Sequence, residues 1–394
     1  MNLGVCRYLS SWFFFKLAIG AILLATSWDV LTVSHNGIIN VSLLMVLSFF
    51  PAAFARPLFR WFSFIDLKKI ISVSFFCSAF IIFIESFFIL SKPYVGLIIN
   101  FVLWIFIFVI EVSCERWFAT LSQSVGFGNI RKLSGISTST AQLGVILGPP
   151  IVILMKHFGV LFPYYAISFI LLLASVLSGI TRWEKLDVTS STFTVKSNPA
   201  SNFLSLKSAY ILAFALIWPT LAIFNISAPL LAMHSYHSIN VAATMEVLLG
   251  VATIAVGLAH PYTTKYFEKR TWLVLLILIL SVLLMYYFSN LLLIVFLGTF
   301  FTGLSFGYLR IELRAFLCVR FKPVAVGEIV AASNSWSAPL LMVFCFVFYL
   351  YARNSNGIVH GLTFAFPLSF ALTAIVFFIV LFKDRKTGDV HDSL

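Results

Sequence analysis

Polar positions are sparse in this chain and fall in clusters, leaving long apolar stretches between them. A bilayer core of about 30 Å takes roughly 20 apolar helical residues per crossing. On that measure twelve membrane-spanning helices are predicted, near 9–30, 38–57, 70–91, 95–113, 134–155, 160–181, 208–232, 241–261, 271–288, 290–309, 325–350 and 358–382. The breaks hold Pro, Gly, Asn or charged residues, as in Ser91-Lys92-Pro93, Lys156-His157-Phe158-Gly159 and Arg353-Asn354-Ser355-Asn356-Gly357. Alternation at period two is absent, which disfavours an outer-membrane barrel. The first run follows Arg7 as a signal peptide would, but Lys16 interrupts it and eleven spans come after it. A retained helix is expected.

Composition sharpens this picture. Hydrophobic residues make up 61% of the 394 and charged residues 10%, against about 45–50% and 25% in soluble domains. A basic nucleic-acid binder could not keep so much apolar surface out of water. The net charge of +12 is explained by topology instead. With a cytoplasmic N-terminus and alternating spans, 22 of the 26 Lys and Arg residues face the cytoplasm, and only Lys92, Lys156 and Arg353 lie outside. That bias is the positive-inside signal, so both termini are expected in the cytoplasm. The five cysteines form no CxxC pair and no zinc-finger spacing, so neither a disulfide framework nor a metal site is expected.

Residues 182–207, from Arg182-Trp183-Glu184-Lys185 through Asn198-Pro199 to Lys207, are rich in Ser and Thr and carry no periodicity. They read as a cytoplasmic linker. The expected plan is an all-α membrane protein with a six-helix bundle over 1–181, the linker, a second six-helix bundle over 208–382 and a cytoplasmic tail over 383–394. Gln142 and Asn334 each fall seven residues after a glycine, Gly135 and Gly327, at matching places in the two halves.

On span five, the segment Gln142-Leu143-Gly144-Val145-Ile146-Leu147-Gly148-Pro149-Pro150 puts Gly144 and Gly148 on one helix face. A neighbouring backbone can approach closely there, and the prolines remove two donors and bend the helix. The segment resembles the antiporter motif GxxxGPxxGG of major facilitator superfamily exporters. It matches at Gly144, Gly148 and Pro149, with Val152 and Ile153 in place of the final glycine pair. Ala119-Thr120-Leu121-Ser122-Gln123, Leu133-Ser134-Gly135 and Gln142-Leu143-Gly144 together look like the loop and fifth helix of the siderophore and macrolide exporter branch. The 6+6 plan extends the superfamily likeness over the whole chain. In the loop between spans two and three, only Asp66-x-Lys68-Lys69 corresponds to the superfamily's gating signature GxLaDRxGRRxxL. A solvated basic loop explains those lysines equally well.

The resemblance implies a secondary transporter of a bacterial inner membrane that works by alternating access. It implies a proton-coupled antiporter exporting a small amphipathic metabolite: a siderophore, a peptide antibiotic or a drug. The expected partners are that substrate, protons and the bilayer. The chain is expected to act as a monomer, alone or with an outer-membrane or periplasmic partner. An importer of the same fold for a sugar, peptide or muropeptide is one rival. A transporter-like sensor without flux is another.

Ionisable groups inside the membrane are costly, about 2.5–3.5 kcal/mol or more each, and so point to function. A carboxyl sheltered from water can take up a proton on one side and release it on the other. Glu85 on span three, Glu246 on span eight and Asp29 near the outer end of span one are the proton-coupling candidates. Lys16 either lines the cavity or snorkels to the cytoplasmic surface. Gln142, Asn334 and Asn225, the last on a span interrupted by Pro219 and Pro229, are the other substrate candidates. Asp66, Lys68, Lys69, Glu115, Arg116, Glu312 and Arg314 are expected at the cytoplasmic gate, and Gly144, Gly148 and Pro149 at the hinge. No GxxxxGK[ST], no HExxH and no long loop are present, so no catalytic residues, enzyme activity or cofactor are expected. Most of the 44 Phe are expected to face lipid.

Overall fold

A computed structural model of the chain describes residues 3–33, 44, 47–62, 64–88, 91–123, 127–180, 206–236, 238–267, 271–288, 290–354 and 368–382. Among these residues the regular structure is helical and holds no strand. The helices are α1 (Leu3–Val33), α2 (Ala55–Phe62), α3 (Leu67–Phe88), α4 (Pro93–Gln123), α5 (Phe127–Lys156) and α6 (Phe162–Ile180). After the linker come α7 (Leu206–Ala215), α8 (Ile217–Leu231), α9 (Ile239–Phe267), α10 (Thr271–Tyr287), α11 (Leu292–Arg320) and α12 (Pro323–Asn354), and finally α13 (Leu368–Phe382). Among the described residues eight helices are long and apolar enough to cross a membrane, and Thr271–Met285 and Leu368–Phe382 are shorter apolar helices. Most of the linker (182–205), the tail (383–394), the starts of span two (38–43) and span twelve (358–367) and the side chain of Asn225 lie outside the described residues.

Several helices run further than the apolar windows predict. Span four, expected to end at 113, continues to Gln123; span five begins at Phe127 instead of 134; span ten, expected to end at 309, continues to Arg320. Arg116, Arg131, Lys132, Arg310, Glu312 and Arg314, assigned to segments between spans, therefore sit on α4, α5 and α11. A hydropathy window closes at the first charges, whereas a helix persists as long as its backbone bonds are made. Charges that pair with one another do not break it.

The chain forms two compact units. The first comprises Met1–Val125, Leu143–Ser205 and Cys318–Ala331; the second comprises Gly126–Gln142, Leu206–Leu317 and Ala332–Leu394. Within the first, α3 packs on α6 and α4, and α1 packs on α6 and α4. On α3 the two stripes are distinct. Ile71, Phe75, Ser78, Ile82 and Glu85 are buried, while Phe76, Phe80, Phe83 and Phe87 are exposed. These four Phe form the outward face suited to lipid, and small residues glue the inward face: Ser72 Oγ donates to Ser175 O (3.1 Å) and Ser168 Oγ to Ala79 O (2.9 Å).

Helix-interior prolines leave carbonyls without their usual donor four residues on, which is expensive where no water can substitute. Three such carbonyls find a substitute close by. Pro149 frees Val145 O, which lies against Gly20 of α1, where a β-carbon would collide with it. Pro261 frees Gly257 O, which lies against Gly135 of α5 in the same way. Glycine Cα–H groups pressed on a carbonyl give weak hydrogen bonds. Pro219 frees Ala215 O at the break between α7 and α8, where Ser337 Oγ of α12 stands 2.9 Å away and also 3.0 Å from Ser333 O. The helix is interrupted only at Leu216, and Ser337 stands at the carbonyl that Pro219 leaves without its donor.

Candidate functional site

In the first unit, Lys16 does not reach the surface. Its ammonium stands 3.1 Å from Glu111 Oε1, and the two side chains are 7% and 8% exposed. It also lies 4.5 Å from the Trp12 ring centroid and 5.2 Å from that of Phe15, a cation–π arrangement. The stem is fixed by the glycine face of α5. A β-carbon on Gly144 would stand 2.7 Å from Phe13 O and 3.2 Å from Lys16 Cβ; one on Gly148 would stand 2.5 Å from the Ala21 nitrogen. Gly144 and Gly148 thus set the contact of α5 with α1 at the turn that carries Lys16.

The three proton-coupling candidates occupy different environments. Asp29 is engaged at both oxygens, by Lys156 Nζ (2.6 Å) and the Tyr164 hydroxyl (2.8 Å). Glu85 is wholly buried, and neither of its carboxylate oxygens has a hydrogen-bond partner among the described residues. Glu246 is exposed on α9.

In the second unit, Glu312 is wholly buried between two basic groups. Arg131 Nη2 lies 3.2 Å from Oε2, and His260 Nε2 lies 2.9 Å from Oε1. The His260 approach is out of line for a hydrogen bond, so it acts as a charge contact when the imidazole is protonated. Arg314 Nη1 donates to Ser137 Oγ (3.0 Å) and Ser134 Oγ to Ile311 O (3.2 Å). Two of the predicted gate residues, Glu312 and Arg314, are therefore tied to the Arg131–Ser137 stretch of α5.

The remaining candidates are spread out. Asp66 is exposed and serves the start of α3: its carbonyl accepts from Ile70 N, and its Oδ1 lies 3.2 Å from Lys68 N. Lys69 is exposed, Lys68, Glu115 and Arg116 are half-buried, and Arg116 lines a small crevice with Phe59, Phe62, Phe108 and Val112. Gln142 is half-buried; Asn334 is buried with its Nδ2 lacking a hydrogen-bond partner. Sequence reasoning passed over Trp12, Arg131 and His260. Trp12 lies four residues before Lys16, the spacing that puts two side chains on one helix face, and that signal was available. His260 and Arg131 meet Glu312 only through tertiary packing.

No protein-family model matches the chain, and no curated protein does. Solved structures match along nearly its full length. The major facilitator superfamily transporter FucP in its outward conformation superposes with a TM-score of 0.72 at 14% identity, over 97% of this chain and 99% of that one. The chain has the major facilitator fold. A bacterial homologue of the iron transporter ferroportin in its outward-facing state gives a TM-score of 0.74 at 12% identity, over 96% and 99%. The proton:xylose symporter XylE gives 0.71 at 13% identity, over 97% and 94%. At these identities the likeness establishes the fold, and the long apolar helices make the chain a multi-pass membrane protein.

Proposed function

We propose that this chain is a proton-coupled antiporter that exports a small amphipathic metabolite, such as a siderophore, peptide antibiotic or drug, across a bacterial inner membrane. It crosses twelve times with both termini in the cytoplasm, as bundles 1–181 and 208–382 joined by the 182–207 linker. The observation that carries the coupling is Glu85, a carboxyl on the buried stripe of α3 whose oxygens accept no hydrogen bond among the described residues. Such a group has no fixed counter-charge, so gaining or losing a proton is the change its surroundings respond to. A proton that binds one conformer better shifts the balance between conformers. Asp29 is held by Lys156 and Tyr164, which makes it a helix tie; Glu246 is the second coupling candidate. Export is supported by the antiporter-like pattern Gly144, Gly148 and Pro149, whose two glycines are seated on α1.

The test is ΔpH-driven transport of the amphipathic dye Hoechst 33342 in proteoliposomes. Glu85→Gln is expected to insert normally and to abolish the ΔpH-driven component. If Glu85→Gln and Glu246→Gln both transport at the wild-type rate, the coupling assignment is wrong. The importer reading draws on the E. coli fucose:proton symporter FucP and on XylE among the similar folds. Uptake of L-fucose or D-xylose by right-side-out vesicles would establish it. Absence of flux with any of these probes would favour the sensor.

A further inference from the structure

We infer that Trp12 and Glu111, bracketing Lys16, form a substrate subsite for a neutral, hydroxylated small molecule. This deepens the transporter reading and rests on it. The ion pair already cancels its own charge: Lys16 Nζ sits 3.1 Å from Glu111 Oε1. A neutral guest adds no desolvated charge, whereas an ionic one would leave a buried charge uncompensated. What the pair leaves unfilled defines the guest. Glu111 Oε2 and Trp12 Nε1 are both buried and neither has a hydrogen-bond partner among the described residues. Both flank the same ammonium, which is 4.5 Å from the Trp12 ring. One group is an acceptor and the other a donor, so a hydroxyl that donates to Glu111 Oε2 and accepts from Trp12 Nε1 satisfies both.

The geometry around the indole restricts how the guest lies. Tyr8 stacks on the Trp12 ring with centroids 6.3 Å apart and planes inclined by 16°, and the Lys16 ammonium lies over the ring as well. Tyr8 and the Lys16 ammonium thus already occupy ring surface, and Nε1 is the polar atom of the indole left unfilled among the described residues. Recognition is through the hydrogen bonds that Nε1 and Glu111 Oε2 leave open. Leaving two buried polar groups unmet costs stability, and a site built to hydrogen-bond a hydroxyl rejects analogues that lack it.

The test measures thermal unfolding of the purified full-length protein with D-xylose and catechol as neutral hydroxylated probes, benzylamine as the cation and benzoate as the anion. A neutral probe is expected to raise the midpoint. Trp12→Phe keeps the ring and removes the donor, and Glu111→Gln removes the anionic acceptor. Each is expected to weaken apparent binding about ten-fold or more, while Trp61→Phe, at an exposed site, binds like wild type. Equal binding by wild type and Trp12→Phe overturns the inference, as does stabilisation by the charged probes alone or by none. Trp12→Phe stands as the safe variant if Glu111→Gln fails to fold. Flux of D-xylose in proteoliposomes separates the two readings. Flux unaffected by Trp12→Phe sinks this subsite and leaves the transporter; Trp12-dependent binding without flux of any probe sinks the transporter and leaves the subsite.

Discussion

Glu312 shows what a buried carboxylate demands of its neighbours. It is wholly enclosed, with Arg131 and His260 on its two oxygens. Removing one partner of a buried pair strands the other, at about 3–5 kcal/mol. Glu312→Gln is therefore expected to lower stability by roughly that amount, read from denaturant unfolding in detergent. The double variant Arg131→Met with Glu312→Leu removes both charges and should recover most of the loss, since a well-packed apolar pair often replaces a buried ion pair without penalty. A double variant as unstable as the single one would show that the cost is packing and not charge. Glu85 differs in kind: it has no hydrogen-bonded partner among the described residues to strand, so its amide should fold as well as its acid.

At the scale of helices, backbone contacts decide more than side-chain volume. A β-carbon on Gly148 would stand 2.5 Å from Ala21 N and 2.8 Å from Leu17 O, and neither backbone can yield as a side-chain tip would. Gly148→Ala should cost roughly 1–3 kcal/mol, and Gly148→Leu should also abolish the proposed export. Full Hoechst 33342 transport by Gly148→Leu at normal expression would remove the hinge assignment. Ser337→Ala strips the donor from Ala215 O and should cost about 1–3 kcal/mol, which thermal unfolding reports. The glycine face of α5 and the break at Pro219 were legible in the sequence, because glycine spacing and proline positions act through local backbone geometry. Their partners were not legible. That Gly148 meets α1, or that Ser337 serves Ala215, depends on which helices are neighbours. The helix ends were misjudged for a related reason: Arg131 and Glu312 look like loop residues until each is seen to cancel the other.

For the whole molecule, the positive-inside bias makes the topology testable. With native cysteines replaced by serine, Lys92→Cys is expected to react with an impermeant maleimide on intact cells. Lys69→Cys and Lys322→Cys should react only after permeabilisation. Labelling of Lys322→Cys from outside would mean a missed or extra span and would reverse the second bundle. The all-helical membrane fold was readable from hydropathy because bilayer thickness acts on whole segments. The partners of Lys16 and Glu312 were not, since they are side chains far apart in sequence. One pairing leads further. Pro219 withholds a donor and Ser337, far along the chain, supplies one. Neither has a use for its oddity without the other. Across the descendants of a common ancestor the two positions should therefore change together, the hydroxyl lapsing where the proline does. A record of that kind would trace the interruption before Pro219 through lineages that have otherwise long since diverged.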